Sequence, residues 1–421
     1  MSKTLNAKRW FAVFAIGLGY GAIYLLPYMK SVFYDQMMAA MGFTNEQLGQ
    51  LVSWYALTCT ISYVPGGYIA DRVKPRLLIS GCLILNGILA FILLTCYTNF
   101  VACSIIWIGC ALCGGFAFWP AMYKAIRLLG TRDEQGKVNS FFEAATGVSG
   151  FLCNLLMVYV ASKVDAGAGG FKAAVIVMGI GMVVTGLLVF FLLDEKVRFN
   201  EDAAEDENQK IRFKDFLKVI VMPRVWIPAI LLFGGIVCYA GISYTTPYCT
   251  VFLGMSVAMA SVFGTIKNNG IRLISPVGGY MSDKVFHSVS KWQVLVFLIS
   301  AGSLIGLVVL PKFVWLHIIL ILIFCACCFA QRSTTYAMLT EYKVSYTVTG
   351  TAIAFMTLIG YLPDMFVHSM FGRWLDLYGD AGYNRIFIFI AATGLVCALV
   401  ALIGVRMSKK INSAPETPAE A

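Results

Sequence analysis

Long runs of apolar residues, separated by short polar segments, dominate the chain. Twelve runs are present, and each is close to the ~20 residues that an α-helix needs to cross a bilayer. The pattern therefore predicts twelve transmembrane helices, numbered here as spans 1 to 12: residues 10–33, 47–69, 77–97, 100–123, 138–161, 173–193, 225–252, 258–281, 292–310, 314–335, 347–370 and 383–405.

The expected fold class is an all-α membrane protein built from two six-helix bundles. The longest charged stretch of the sequence separates six spans from six and is expected to be a cytoplasmic linker. The predicted domains are an N-terminal bundle over 1–194, the linker over 195–223, a C-terminal bundle over 224–407 and a disordered tail over 408–421.

Composition agrees with a membrane protein and excludes most soluble classes. Of 421 residues, 59% are hydrophobic and 13% are charged, whereas an ordinary soluble domain has about 25% charged residues. The sequence contains no P-loop motif, and its cysteines lie in apolar runs without the spacing of metal ligands. We therefore expect no enzymatic activity, no cofactor, no metal and no nucleic-acid partner.

The distribution of Lys and Arg predicts the orientation. With the N-terminus in the cytoplasm, 22 of these residues fall in cytoplasmic segments and 5 in outer loops. Cytoplasmic loops of membrane proteins carry the excess of basic residues. Both termini are therefore predicted to be cytoplasmic, and the net charge of +10 is mainly a signal of topology.

The two halves of the chain contain an internal repeat. The segment YLLPY at 24–28 is matched by YTTPY at 244–248, and GGYIADR at 66–72 is matched by GGYMSDK at 278–284. Because each half has an even number of spans, the two copies share one orientation. Parallel duplications of this kind place a substrate site between the halves, near the membrane midplane.

The loop after span 2 resembles the signature loop of the major facilitator superfamily. The likeness is carried by Gly67, Asp71, Arg72 and Arg76, with a weaker copy at Gly279 and Asp283. The resemblance implies a monomeric transporter in the lipid bilayer, in which these residues form a conformational gate. The alternative is that the charged members are ordinary loop residues.

Ionisable side chains inside the spans indicate the charge of the expected substrate. Each costs about 2.5–3.5 kcal/mol on insertion scales, so such residues tend to be functional. With Lys124 counted at the inner end of span 4 and Arg385 counted with the outer loop before span 12, five are basic and two are acidic: Lys30, Lys124, Lys267, Arg272 and Arg332 against Glu143 and Asp364. Excess cations around a wet cavity attract an anion, so the expected partner is a small anionic solute.

Three of these cations are predicted to bind the substrate: Lys124, Lys267 and Arg272. Lys267 lies near the bilayer centre, and Asn268 shares a helical face with Arg272. The segment 119–124 resembles span 4 of organophosphate:phosphate antiporters and related organic-anion symporters, which implies anion binding by Lys124. The chain is also similar to a bacterial inner-membrane branch of the superfamily, which implies that location.

The other ionisable residues each have two interpretations. Lys30 and Arg332 are either functional cations inside the bundle or, because they lie near span ends, long basic side chains that reach the lipid headgroups. Glu143 or Asp364 is the expected proton-coupling residue, but either could pair with a cation instead.

Tyrosines in the repeated segments are predicted to line the pocket, because a hydroxyl can bond a polar solute while the ring shapes the cavity. They are Tyr24, Tyr28, Tyr239 and Tyr244. Packing is the alternative for each of them.

These patterns predict a secondary active transporter that moves a small organic anion by alternating access, with proton symport as the expected coupling. The alternatives are a transport-inactive membrane sensor on the same fold and a carrier of neutral sugars or drugs. Replacement of Lys267 by Ala is expected to abolish uptake.

Overall fold

The computed structural model describes residues 3–129, 135–165, 167–193, 218–271 and 275–413. Helices dominate these residues, and no strand occurs among them, which confirms the all-α class. The α-helices are α1 (Lys3–Ile23), α2 (Lys30–Met41), α3 (Asn45–Arg72), α4 (Pro75–Cys96), α5 (Phe100–Ala111), α6 (Trp119–Leu129), α7 (Gln135–Val164), α8 (Ala168–Leu192), α9 (Pro223–Ile242), α10 (Thr245–Leu253), α11 (Val257–Thr265), α12 (Ser275–Tyr280), α13 (Val289–Val309), α14 (Val314–Thr334), α15 (Met338–Glu341), α16 (Tyr346–Gly360), α17 (Val367–Tyr378) and α18 (Ala381–Ser413).

Short segments of other helix types interrupt this series. There are π-helical segments at Leu112–Phe118, Ile266–Gly270 and Met281–Val285, and 3-10 segments at Thr335–Ala337 and Leu362–Met365. Such irregular segments inside longer helices are frequent at functional sites and hinges.

Within the described residues, nine helical stretches are long and apolar enough to cross a membrane. They correspond to predicted spans 3–7 and 9–12. Spans 1 and 2 coincide with α1 and α3, which are helices of 21 and 28 residues but are not among the nine. Span 8 is divided by the Ile266–Gly270 segment and by residues 272–274, which are not described. The count of twelve spans stays a prediction.

Contacts group the described helices into two compact units. Unit 1 contains the described residues up to 193 together with Thr246–Gly270 and Met365–Leu377, and unit 2 contains the described residues within 211–245, 271–364 and 378–421. Unit 1 therefore includes two segments from the second half of the sequence. The predicted domains follow the sequence repeat rather than these contacts, and their boundaries stay a prediction.

The repeated YxxPY segments lie at helix breaks in both halves. α1 ends at Ile23 and α9 ends at Ile242, just before the first tyrosine of each segment. A helix break leaves backbone carbonyls without helical partners, and the Pro27 carbonyl accepts a hydrogen bond from the Trp107 indole at 3.2 Å. The sequence repeat thus recurs as a repeated interruption of the helices.

Candidate functional site

Lys124 lies on α6 in unit 1 and is half-buried. Its ammonium donates a hydrogen bond to the Ala70 carbonyl, in the last turn of α3, at 3.0 Å. The C-terminal end of a helix carries partial negative charge, so a cation there is stabilising. In this conformation the predicted substrate cation of span 4 also joins α6 to α3.

Lys267 is completely buried in unit 1, on the π-helical segment Ile266–Gly270. Burial of an ammonium costs several kcal/mol unless it is paired or hydrogen-bonded. Asp35 of α2 is hydrogen-bonded to Thr250 of α10, and both Asp35 and Lys267 are close enough to the Cys249 thiol to act on it electrostatically. Sequence analysis missed this acid because it lies two residues beyond predicted span 1.

The pKa of Asp35 is shifted by its surroundings. Burial raises the pKa above its ordinary value of 3.8, and the hydrogen bond with Thr250 opposes part of this rise. The protonated carboxyl is therefore favoured in the folded protein relative to an exposed aspartate.

Hydrogen bonds join the α2 region to α10 and α11 within unit 1. Gln36 donates to the Ser261 hydroxyl at 2.9 Å, and Thr246 donates to the Ser31 carbonyl at 2.7 Å. Asn268, a predicted site residue, donates to the same carbonyl at 3.4 Å. These bonds place Asn268 beside α2 and give it a structural contact there.

The four predicted pocket tyrosines lie in different surroundings. Tyr24 and Tyr28 are half-buried in unit 1, where the Tyr28 ring packs edge-on against Tyr55 with 5.6 Å between centroids. Tyr239 is half-buried in unit 2, whereas Tyr244 is completely buried there. Burial of Tyr244 favours a packing role for that residue.

Arg332 on α14 is placed against aromatic rings in unit 2. Its guanidinium carbon lies 5.0 Å from the ring centroid of Tyr239 and 5.5 Å from that of Tyr361. Both distances fall within the ~6 Å range of cation–π contact, and the guanidinium also donates to the Tyr361 hydroxyl. All three side chains are half-buried, and together they are named the arginine–tyrosine cluster.

Buried polar bonds hold α14 beside this cluster. Gln331 donates to the Leu231 carbonyl of α9 at 3.0 Å and to the Thr335 hydroxyl at 2.9 Å. Gln293 of α13 donates to the Gln331 carbonyl at 3.1 Å. Gly235 faces the Gln331 carboxamide so closely that a Cβ there would collide with it. The helix that carries Arg332 is therefore fixed against both α9 and α13.

The two candidate proton-coupling residues differ in burial. Asp364 is buried, and its backbone N–H donates to the Tyr361 carbonyl at 3.2 Å. Glu143 is exposed on α7. Burial favours Asp364 for a role inside the membrane. Arg272 and the side chain of Asp71, both predicted site groups, lie outside the part of the chain that the structure describes.

The predicted gate arginines make ring contacts. Arg72 is exposed at the end of α3, with its guanidinium carbon 3.7 Å from the Tyr68 ring centroid. Arg76 on α4 lies 4.1 Å from the Phe190 ring centroid. In the second copy, the exposed Asp283 accepts a hydrogen bond from its neighbouring serine at 3.0 Å.

Close backbone approach at the gate motif involves the first glycine of each pair. A Cβ on Gly66 would collide with the backbone of the segment between α5 and α6, and one on Gly278 would lie 3.0 Å from the Ala330 carbonyl. A Cβ on Gly279 would meet open space. The motif residue Gly279 therefore makes no close contact through its Cα, whereas Gly278 packs closely against Ala330.

A carboxylate from α17 holds the start of α3 in unit 1. Asp376 accepts hydrogen bonds from the backbone N–H groups of Asn45 and Glu46 at 2.9 and 2.8 Å, and from the Asn45 amide at 2.7 Å. A carboxylate there satisfies orphan N–H groups and complements the positive helix end. Gly49 and Gly372 face the backbone of the opposite helix without room for a Cβ. This contact is named the Asp376 clasp.

Membrane-length helices with duplicated breaks and basic residues inside the spans define a carrier-type membrane protein. The chain belongs to the Major Facilitator Superfamily, whose family model matches residues 9–368. This confirms the family that the loop motif indicated.

Individual relatives agree with the family. Inner membrane protein YihN of Escherichia coli (strain K12) is 28% identical over 407 residues, which cover 96% of each chain. Membrane sensor protein UhpC of Salmonella typhimurium is 25% identical over 308 residues, covering 69% of this chain and 68% of that protein. The crystal structure of a bacterial homologue of the human lysosomal transporter Spinster, in an inward-facing and unoccupied conformation, has a TM-score of 0.79 at 15% identity, with full coverage of both chains.

The last likeness shows the fold alone. The family model and the nine membrane-length helices among the described residues show a multi-pass membrane protein of this superfamily, and the first of these relatives is named an inner membrane protein.

Proposed function

We propose that this protein is a secondary active transporter of a small organic anion and works by alternating access. The charge of the side chains inside the spans carries the proposal. Within the described residues, four basic side chains there are buried or half-buried, Lys30, Lys124, Lys267 and Arg332. The acidic ones are the buried Asp364 and the exposed Glu143. Even when Asp35 is counted with these acids, basic groups remain in excess, and such an excess attracts anions.

Alternating access requires contacts that close one side of the membrane and release in the other state. By the predicted topology, the Asp376 clasp and the bonds between α2, α10 and α11 lie on the outer side, and we assign them to the outer gate. The motif residues at the ends of α3 and α12 are assigned to the cytoplasmic gate.

Asp364 is the residue that we assign to proton coupling. It is buried in a predicted span, whereas Glu143 is exposed. Carboxyl groups inside a membrane bundle are typical of proton relays in transporters.

Uptake into proteoliposomes tests the proposal. We expect purified protein to accumulate at least one member of a panel of sugar acids, phosphate esters, sulfonates and dicarboxylates. Neutral sugars are expected not to compete. Lys267→Ala is expected to abolish uptake because it disturbs the buried packing of unit 1 rather than the affinity for the anion, whereas Lys163→Ala, a change at an exposed lysine, retains uptake. Accumulation of neutral sugars without competition by any anion would contradict the proposal.

A membrane sensor is the second candidate, because the chain is 25% identical to a protein named membrane sensor over 308 residues. The two functions differ in net movement of the ligand. Ligand binding raises the melting temperature of a sensor and of a carrier alike. Only a carrier also accumulates the ligand inside liposomes.

A further inference from the structure

We infer that the arginine–tyrosine cluster of unit 2 is an oxyanion-binding subsite, formed by Arg332, Tyr239 and Tyr361. This inference rests on the proposed transport of an organic anion. It assigns a role to Arg332, for which sequence analysis left open either a functional cation inside the span or a side chain that reaches the lipid headgroups.

The chemistry of the cluster suits an oxyanion. Tyr239 and Tyr361 contact the guanidinium through their rings, and the Tyr361 hydroxyl accepts a hydrogen bond from it. The two rings and the Tyr361 hydroxyl therefore hold the guanidinium in one orientation. A planar guanidinium held in one orientation matches carboxylate, phosphate and sulfonate groups, which it binds through two parallel hydrogen bonds.

The cluster lies at interruptions of three helices. α14 ends at Thr334, two residues after Arg332, and α16 ends at Gly360, next to Tyr361. α9 ends at Ile242, less than one turn after Tyr239. Irregular backbone at membrane depth is tolerated where it is buried in protein or lines a water-filled cavity, and interrupted helices supply the substrate sites of many carriers.

Further hydroxyl groups lie next to the cluster. The Tyr336 and Thr357 hydroxyls are 3.1 Å apart, and Tyr336 lies within electrostatic range of Arg332 and Tyr361. Tyr336 is half-buried, as the cluster residues are. Hydroxyl groups beside a guanidinium can form hydrogen bonds with the charged oxygens of a bound anion or with hydroxyl groups elsewhere on the same anion.

Equilibrium binding to the purified full-length protein in detergent tests the subsite. The probes are gluconate, glucose 6-phosphate and methanesulfonate, which separate the three oxyanion types, with glucose as the uncharged control. The readouts are the shift in melting temperature and calorimetric affinity. Arg332→Ala is expected to weaken the tightest-bound anion by at least about tenfold.

Two further variants separate binding from folding. Arg332→Lys keeps the charge but loses the planar fork, and its affinity is expected to fall between those of the wild type and Arg332→Ala. Tyr361→Phe keeps the ring and removes the hydroxyl, so we expect a smaller loss of affinity. Arg385→Ala is the matched control, because its guanidinium also lies over a tyrosine ring, Tyr378, at 3.6 Å, but is exposed.

The outcomes are distinguishable. A wild-type protein that binds none of the anions overturns the proposed function and this inference together. Anion binding that is unchanged in a folded Arg332→Ala or Arg332→Lys variant overturns the inference alone. Equal losses of affinity in the Arg332 and Arg385 variants also overturn it, because the effect would then not be specific to the cluster.

Discussion

The basic side chains of the two units are held in different ways. In unit 1, Lys124 donates to a backbone carbonyl, and Lys267 is completely buried in the neighbourhood of Asp35. In unit 2, Arg332 is half-buried and contacts the neutral rings of two tyrosines. The ammonium of lysine is a compact charge that a carbonyl or a nearby acid can satisfy, whereas guanidinium is a planar fork. The partners of a cation therefore indicate its role better than its depth in a span does.

The largest effect is expected when the support of Arg332 is disturbed. Gly235→Ala places a methyl group against the Gln331 carboxamide, which binds α14 to α9. Overpacking of this kind costs about 1–3 kcal/mol, so melting temperature and anion affinity are both expected to fall.

The control for Gly235→Ala is Gly302→Ala, where a Cβ meets open space on α13. Its melting temperature is expected to be unchanged or slightly raised, since Ala favours a helix interior over Gly by roughly 0.5–1 kcal/mol. Similar behaviour of the two variants would show that the Gln331 contact does not support the cluster.

Removal of Lys124 tests the structural role that the comparison gives to the lysines of unit 1. Lys124→Met leaves the Ala70 carbonyl without its ammonium donor, and loss of such a bond costs about 1–3 kcal/mol. We expect a lower melting temperature with little change in anion affinity. Lys137→Met, a change at an exposed lysine of α7, is the control. A large loss of affinity with normal stability would make Lys124 a ligand residue after all.

The Asp376 clasp extends the comparison to an acidic group of unit 1 that is bound to a helix end. Asp376→Ala removes the acceptor of three hydrogen bonds at the start of α3, and loss of a helix cap costs about 0.5–2 kcal/mol. Thermal unfolding is expected at lower temperature, with Asp376→Asn in between. Leu377→Ala, at the exposed neighbouring position of α17, should unfold as the wild type does.

The smallest effect is a change in pH dependence at Asp35. Because burial raises its pKa above 3.8, the stability that it contributes is present below that pH and is lost as the pH rises through the raised pKa. Asp35→Asn cannot ionise. Its melting temperature should therefore fall less steeply than that of the wild type as the pH rises above 3.8 and through the raised pKa. Parallel curves would contradict the burial of this carboxyl.

Sequence patterns predicted the helical class, the repeat and the family because these depend on local hydropathy and on short motifs. The helix breaks at the YxxPY segments were not predicted, because predicted spans 1 and 7 run through them, whereas the helices of the structure end at Ile23 and Ile242. The Asp376 clasp was not predicted either, since it joins residues 331 positions apart. The role proposed for Arg332 was missed for a similar reason, because only the fold brings Tyr239 and Tyr361 to it from two other helices.

The most direct test of the central claim measures the affinity of one anion for Arg332→Ala and Lys267→Met side by side. Lys267 is completely buried inside unit 1, whereas Arg332 is half-buried in the arginine–tyrosine cluster. The account predicts that Arg332→Ala loses at least about tenfold in affinity and that Lys267→Met stays within about twofold of the wild type. Loss of binding in Lys267→Met with normal affinity in Arg332→Ala would contradict it.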